Sequence, residues 1–477
     1  MSERRSATVV IAMLVTIASA RELHGAGLYV SDRGTRPLGR GGAFVAGADD
    51  GGAIWYNPAG LADAPTSLLV DAAWVDYGVR FSRRSLVTTT SGTELVDSSF
   101  PQVNGSTPFL PIPTIVGTYR FGAAKEYTVA LGAYAPYAAI LSYPESINGG
   151  PAPQRYSLLS LDGSALAVVG AWFAYRPIEQ LHIGIGIQML TGYFRTTIVF
   201  NTCPPGRLFC AEEDPSYDAQ SAVSTGPIFA PSGNAGITWI PIRGVRLAAS
   251  AQAPFQISAP ATVDVRLPSA VFFDGATQSG RAAHTHFELP PILRVGIEVR
   301  PLHDDRLRVE LAYAREFWSV QKSIDVTPEN IRLINVLGFP SPFQVSAISL
   351  PRAMRDSDSV HLGGEYDQKL FQHSLTARAG VSYETSALPT AYVTPLTVDS
   401  DKVAVSLGGS IYANEHLRLD VAVSHAIASG VTVTPQEAAV PRITVVKGNP
   451  APPTTAVNGG IYSYDTTVVG VGMNYVF

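Results

Sequence analysis

The feature that most constrains this chain is a two-residue alternation of apolar and polar side chains that recurs along most of its length. Leu181, Ile183, Ile185, Ile187 and Met189 share one face of a segment, with His182, Gly184, Gly186 and Gln188 opposite. Near the end, Val469, Val471, Met473 and Tyr475 alternate with Gly470, Gly472 and Asn474. Earlier, Ala73, Val75, Tyr77, Val79 and Phe81 share a face against Asp76, Gly78, Arg80 and Ser82. A period of two marks strands, because successive side chains leave opposite faces of a pleated ribbon. Such a face fits a lipid-facing wall, and it equally fits a half-buried soluble sheet. Past the first 26 residues, no run approaches the roughly 18 uninterrupted apolar residues of a spanning helix. The mature chain is therefore a soluble β protein or a barrel that crosses a membrane with strands.

The connections decide between the two. About 14 strands are expected, near 68–83, 113–121, 127–139, 157–176, 181–199, 230–240, 245–266, 285–300, 306–319, 358–366, 373–384, 401–413, 417–427 and 465–477. Short turns at 122–126, 177–180, 241–244, 301–305, 367–372 and 414–416 alternate with long segments at 84–112, 140–156, 200–229, 267–284, 320–357, 385–400 and 428–464. Short turns at one end and long loops at the other, with an even strand number, form the outer-membrane barrel pattern. The expected fold is all-β, a 14-stranded antiparallel transmembrane β-barrel over residues 67–477. A barrel this wide is not filled by its own wall side chains. Residues 27–66, rich in Gly and Ala and without wall alternation, are the candidate plug, or hatch, in the lumen.

Composition supports this reading. Only 15% of residues are charged and 46% are apolar, while 43 Gly and 35 Pro break the chain throughout. A net charge of −5 without a basic stripe argues against nucleic acid as a partner. Arg4 and Arg5, the apolar run 7–18 and the small residues Ala18-Ser19-Ala20 read as a signal peptide at 1–20, with a second cleavage position after Ala26. In an exported chain, Cys203 and Cys210 are candidates for a disulfide closing a small loop.

Residues 37–63 read Pro37-Leu38-Gly39-Arg40-Gly41-Gly42 through Asp63, with Asp49-Asp50, Trp55-Tyr56 and the core Asn57-Pro58-Ala59-Gly60-Leu61. Further along stand Leu131-Gly132-Ala133-Tyr134-Ala135-Pro136-Tyr137, Arg155-Tyr156, Leu289-Pro290-Pro291, Trp318 and Ala379-Gly380-Val381-Ser382-Tyr383. In these motifs, and in their order, the chain resembles the FadL/TodX family of outer-membrane transporters of long-chain fatty acids and other hydrophobic compounds. Tyr137-Ala138 departs from the family's habit of an aromatic residue followed by Gly. The resemblance implies a monomeric passive carrier in the bacterial outer membrane. Cargo is captured at apolar loops, a hatch built on Asn57, Pro58, Ala59 and Gly60 moves, and release is lateral through the wall at Pro136.

Taken on its own chemistry, Pro136 cannot donate to a strand ladder and marks an interruption. Asn57 before Pro58 is at least a turn, and its amide, if buried, needs partners. In the segment 320–357, Thr327 and Pro328 suit a helix start and Gly338 its stop, which would align Ile331, Ile334 and Leu337, followed by Phe339 and Phe343. Those five are the candidate contacts for an apolar substrate. Arg155 and Lys322 are candidates for its carboxylate. No metal site and no cofactor are expected. His284 and His286 lack further ligands, and no nucleophile elbow, phosphate loop or dinucleotide fingerprint occurs. Expected partners are hydrophobic small molecules, outer-membrane lipid and lipopolysaccharide, and the barrel-assembly machinery during biogenesis. The rival readings are a general porin for polar solutes and, behind it, a barrel lipase using His361, His373 or His425.

Overall fold

The computed structural model describes residues 32–88, 95–135, 141–202, 213–301, 306–337, 340–370, 373–443 and 455–477. The expected signal segment 1–20 and its later cut after Ala26, the start of the hatch, Pro136, Cys203, Cys210 and Phe339 lie outside the described residues.

Fourteen antiparallel wall strands close into a barrel. They are β1 (Ser67–Thr88), β2 (Ile112–Phe121), β3 (Tyr127–Tyr134), β4 (Ala165–Ile178), β5 (Leu181–Asn201) and β6 (Asp218–Ile242). β7 runs Val245–Gln252 and Phe255–Arg266, β8 runs Ala282–Leu289 and Ile292–Val299, and β9 runs Leu307–Glu316 and Ser323–Pro328. β10 (Ser357–Leu370), β11 (His373–Glu384), β12 (Lys402–Tyr412), β13 (Leu417–Ala428) and β14 (Gly460–Val476) complete the wall. Each pairs with its sequence neighbour, and β1 pairs with β14 from Ser67↔Val476 to Arg83↔Gly460, which closes the ring. Closure leaves no sheet edge in the membrane.

The alternation read from the sequence becomes inside and outside. On β5, Ile183, Ile185 and Ile187 are exposed to the lipid side, Ile187 at 72%, while His182 and Gln188 are buried inward. At the short-turn end, Tyr119, Phe121, Tyr127 and Tyr175 stack in a row with centroids 5.0–6.0 Å apart. This is an interfacial aromatic girdle. β1 is turned the other way from a lipid-facing reading of its sequence. Val75, Val79 and Phe81 are buried inside, while Asp76 and Arg80 are exposed. The reason is length. Its 22 residues, at about 3.3 Å each, overshoot the roughly 25 Å apolar band. Its upper half stands in water with an apolar inner face.

Three of the expected long loops are built differently. β6 begins at Asp218, so much of 200–229 is wall. The helix expected from Thr327 to Gly338 does not form. Ser323–Pro328, Arg332–Ile334 and Ile348–Pro351 are strands, with Asn330 and Asn335 at φ 59° and 61° in the turns between them. Left-handed asparagines end a helix before it can propagate. Ile331 and Leu333, on one side of the short strand Arg332–Ile334, are buried, and Leu337, beyond the Asn335 turn, is 62% exposed. The third is 385–400, which folds inward. Ala387, Leu388, Val393, Leu396 and Val398 join one apolar cluster with Phe81, Tyr143, Trp318 and Tyr462.

Because Ile187 faces lipid near the middle of the membrane part of β5, Ile187→Lys is expected to destabilise the barrel by about 2–4 kcal/mol. Urea titration in lipid vesicles, read by heat-modifiable gel migration, measures this. Gln188→Lys, one residue on and inward, serves as the control for the side of the wall.

Candidate functional site

Residues 32–66 lie inside the barrel and are buried almost throughout. Two short helices, Thr35–Gly39 and Ala53–Tyr56, and a 3₁₀ turn, Pro58–Ala62, give them their shape. Asn57 organises the last of these. Its Oδ1 accepts from the Ala59 N–H, while its Nδ2 donates to the Val45 carbonyl (3.0 Å) and to Thr238 Oγ1 on β6 (2.9 Å). Pro58 opens the 3₁₀ turn, and Gly60 packs against the Ala48 backbone. The wall makes room with glycine. A Cβ on Gly184 of β5 would meet the Pro58–Ala59 backbone, and Gly41 sits at φ 62° against Gly380 of β11.

Charge ties the hatch to the opposite wall. Arg36 meets Asp49 (2.5 Å), Asp50 (3.0 Å) and Glu365 (2.6 Å). Arg40, fully buried, meets Glu298 (2.9 Å) and Glu310 (3.1 Å). Arg308 bridges Asp49, Glu298 and Glu365, and Arg418 bridges Asp50 and Asp420. Glu310 also accepts the N–H groups of Val45, Ala46 and Gly47 at 2.6–2.8 Å. A polar recess of about 260 Å³, lined by Arg36, Asp49, Glu365, Arg378 and Arg418, opens this network toward the short-turn end. Buried charges persist only when paired in this way.

Above the network the lumen is aromatic and apolar. Trp55 packs edge-on to Tyr134 at 5.4 Å and lies under the Arg294 guanidinium at 4.5 Å. The described ladder of β3 with β4 runs from Tyr127↔Tyr175 to Tyr134↔Val168. Beside its upper end is a cavity of about 560 Å³. Pro108, Leu110, Ile112 and Pro113 line one side, Leu161 and Ala165–Ala167 another, Tyr193 and Phe194 a third, and Phe287 and Leu289 the lumen end. Its polar lining is hydroxyl, from Thr107, Ser164 and Thr191, with Tyr193 at the margin, and no charged side chain is among the described residues around it. Leu110 and Tyr193 are exposed on the outer surface. The cavity therefore runs from the lumen toward the outside of the wall. Ala135, Val75 and Ile112 border both it and a small recess lined by the hatch residues Asp32–Thr35.

The candidates from the sequence are scattered around this geometry. Arg155 is committed to Asp218 (2.7 Å) and donates to the Tyr156 hydroxyl (2.6 Å), beside Arg83, Arg442 and Glu213. Burial alone would raise the Glu213 carboxyl, but Arg83 and Arg442 hold it down at about 2. Lys322 is exposed and stands apart from Arg155. Ile331 is buried and Phe343 partly buried in a second apolar cluster with Ile198, Phe200, Val263 and Phe273. That cluster packs the loops around Phe273 and Ile331 onto the upper ends of β5, β6 and β7. Ile334 is partly buried, on the opposite side of its strand from Leu333. The inward loop escaped the sequence reading. Its Asp399 accepts from Ser386 Oγ (2.8 Å) and from the Ala387 N–H, while Lys402 gives its shorter contact to Glu384 (2.6 Å, against 3.4 Å to Asp399). Burial therefore dominates Asp399 and pushes its carboxyl up to about 8.

Two outcomes follow. Glu310→Ala removes four hydrogen-bond partners from the hatch and leaves Arg40 under-paired. It should cost about 3–5 kcal/mol and expose the hatch to protease, read by limited proteolysis and thermal unfolding. For Asp399, a raised folded pKa means that the folded state holds the proton more tightly. Its stabilisation is full below about pH 4 and is lost as pH rises through about 8. Cleavage within 385–400 should rise between pH 6 and 9 in the wild type, and Asp399→Asn should flatten that rise. Glu384, Lys402, Tyr77 and Tyr464 are the ionisable groups around Asp399.

Structures of known proteins share this architecture. A FadL homologue from Pseudomonas aeruginosa superposes with a TM-score of 0.70 at 15% identity, covering 94% of this chain and all of that one. The Pseudomonas putida toluene transporter TodX gives 0.61 at 15% identity over 94% of this chain and 99% of its own. The Ralstonia pickettii toluene transporter TbuX gives 0.57 at 16% identity with the same coverage. No curated protein matches the sequence. The family model described as outer membrane protein transport protein (OMPP1/FadL/TodX) matches residues 14–477. With its barrel closed, its lumen plugged and that model matched over nearly its whole length, the chain belongs to the FadL/TodX family of outer-membrane transport proteins.

Proposed function

We propose that this protein carries hydrophobic molecules, long-chain fatty acids first among them, passively across the outer membrane. The apolar cavity beside β3 supports this reading most directly. It joins the lumen to the outer face of the wall through a lining with hydroxyls as its polar groups. Each buried CH₂ is worth about 0.8 kcal/mol, so an acyl chain released into an aqueous space loses most of what held it. A lateral path keeps the chain in apolar surroundings throughout. The packed loops supply the outer capture surface, and the hatch gates the lumen. The shared border of the cavity and the Asp32–Thr35 recess supports the gating step, because withdrawal of those hatch residues lengthens the cavity inward. Release past β3, at Pro136, and the pivot at Asn57 belong to the same proposal. A general porin fits less well, since the hatch and the loop 385–400 both occupy the lumen.

Cells lacking their own transporter, given this protein, should take up labelled oleate or labelled toluene faster than cells without it. Ala167→Trp, which fills the cavity from β4, should cut that gain at least about tenfold with the barrel still inserted, and Asn57→Ala should reduce it by loosening the hatch turn. An unchanged rate in both variants, or no gain from the wild type for either compound, sinks the proposal.

A further inference from the structure

Among the described residues, one buried arginine has a guanidinium without a partner. Arg352 is 2% exposed, on the segment between Ile348–Pro351 and β10. Its backbone N–H donates to the Lys322 carbonyl (2.7 Å), but among the described residues its guanidinium makes no hydrogen bond, ion pair or ring contact, and its Nε is enclosed without an acceptor. Among the described residues, the other arginines buried to this degree are engaged. Arg36, Arg40, Arg308, Arg378 and Arg418 share carboxylates, as do Arg83, Arg155 and Arg442, while Arg33 donates to the Asp32 carbonyl and Arg294 lies over Trp55. Burial, with no neighbouring charge to oppose it, draws the Arg352 guanidinium down to about 10, still charged at neutral pH. A buried charge without a partner is costly and uncommon.

Its surroundings say what would complete it. Met354, next on the same buried side of the segment, packs in the apolar cluster that contains Trp318, Leu289 and Leu388. Leu289 also lines the apolar cavity. Lys322 joins the two places. It pairs through its carbonyl with Arg352, and its neighbour Gln321 accepts from the Glu288 N–H (2.7 Å) at the end of β8's upper part. An unpaired guanidinium beside an apolar cluster that reaches the cavity through Leu289 is complementary to one chemistry, an anionic head on an apolar tail. Guanidinium and carboxylate match in a bidentate fork, and the low dielectric strengthens the pair.

We infer that Arg352 receives the carboxylate of an amphipathic cargo whose chain lies along the Leu289 side of the cavity, so that this transporter selects a fatty acid over a neutral hydrophobe of equal length. This deepens the transport reading and rests on it. The test uses the purified full-length barrel in detergent, with laurate, methyl laurate and acetate as probes in equilibrium dialysis. Wild-type protein should bind laurate at least about tenfold more tightly than methyl laurate, and acetate not measurably. Arg352→Met should remove that preference, weakening laurate about tenfold or more while the ester stays within about twofold. Arg352→Lys should restore most of it. Equal affinity of the wild type for laurate and ester overturns the inference without any variant, and so does a Met variant that keeps the preference or loses both ligands in parallel. Acetate bound as well as laurate would make Arg352 a site for small anions and overturn it too. Toluene uptake by cells separates the two levels. If Arg352→Met keeps toluene uptake while losing laurate, transport stands and the arginine reads the head group. If the wild type transports neither, the transport reading fails, whatever dialysis shows.

Discussion

Closure of the wall is the constraint from which the rest of the structure follows. Once β1 pairs with β14 along Ser67–Arg83, every strand has two neighbours and no edge remains in the lipid. The same closure creates a lumen that fourteen strands' worth of inward side chains do not fill. Something must occupy it, and the occupant cannot bring unpaired polar groups. The hatch solves this with carboxylates that accept its N–H groups, as Glu310 does for three of them, and with arginines that neutralise those carboxylates. The wall contributes glycines where the hatch backbone lies against it.

The lumen is consequently graded along its axis. Toward the short-turn end it is ionic, with Glu365 shared by several guanidiniums. Higher up it is aromatic around Trp55, Tyr56 and Tyr134, and above that apolar, where the aliphatic side chains of 385–400 pack on Phe81 and Tyr462. An apolar molecule meets favourable surroundings in the upper part and unfavourable ones in the lower. On the transport reading proposed above, this polarity gradient turns such a molecule aside, toward the cavity in the wall, before it reaches the ionic layer.

Much of this was legible in the sequence. Strands and short turns follow from period two and from turn residues, which are local. The hatch was visible as a Gly-rich stretch without alternation, and Asn57-Pro58 as a turn. What stayed hidden depends on contacts between distant segments. Residues 327–338 carry helix start and stop signals, yet strand partners at 283–284, 277–279 and 343–344 outweigh them. The inward course of 385–400 leaves no periodic trace, because Ala, Pro, Thr and Val there pack irregularly. The facing of β1 was ambiguous because its lower half is apolar on both sides, with Leu68, Val70 and Trp74 against Leu69 and Val75. Arg352 could not be singled out either. The lack of a carboxylate beside it is a fact of tertiary structure, and Arg155, which looked freer in sequence, is paired.

The inward loop has a bearing on how such a barrel can be altered. Exposed loop tips of a membrane barrel are the natural places to splice in an epitope, an affinity tag or a binding peptide, since they touch little else. The segment 385–400 sits between β11 and β12 at that same end and looks equivalent on a topology diagram. Yet its side chains belong to the interior, so foreign residues grafted there would enter the core instead of the medium. The connection at 122–126, short and exposed at the opposite end, is the more forgiving place to graft.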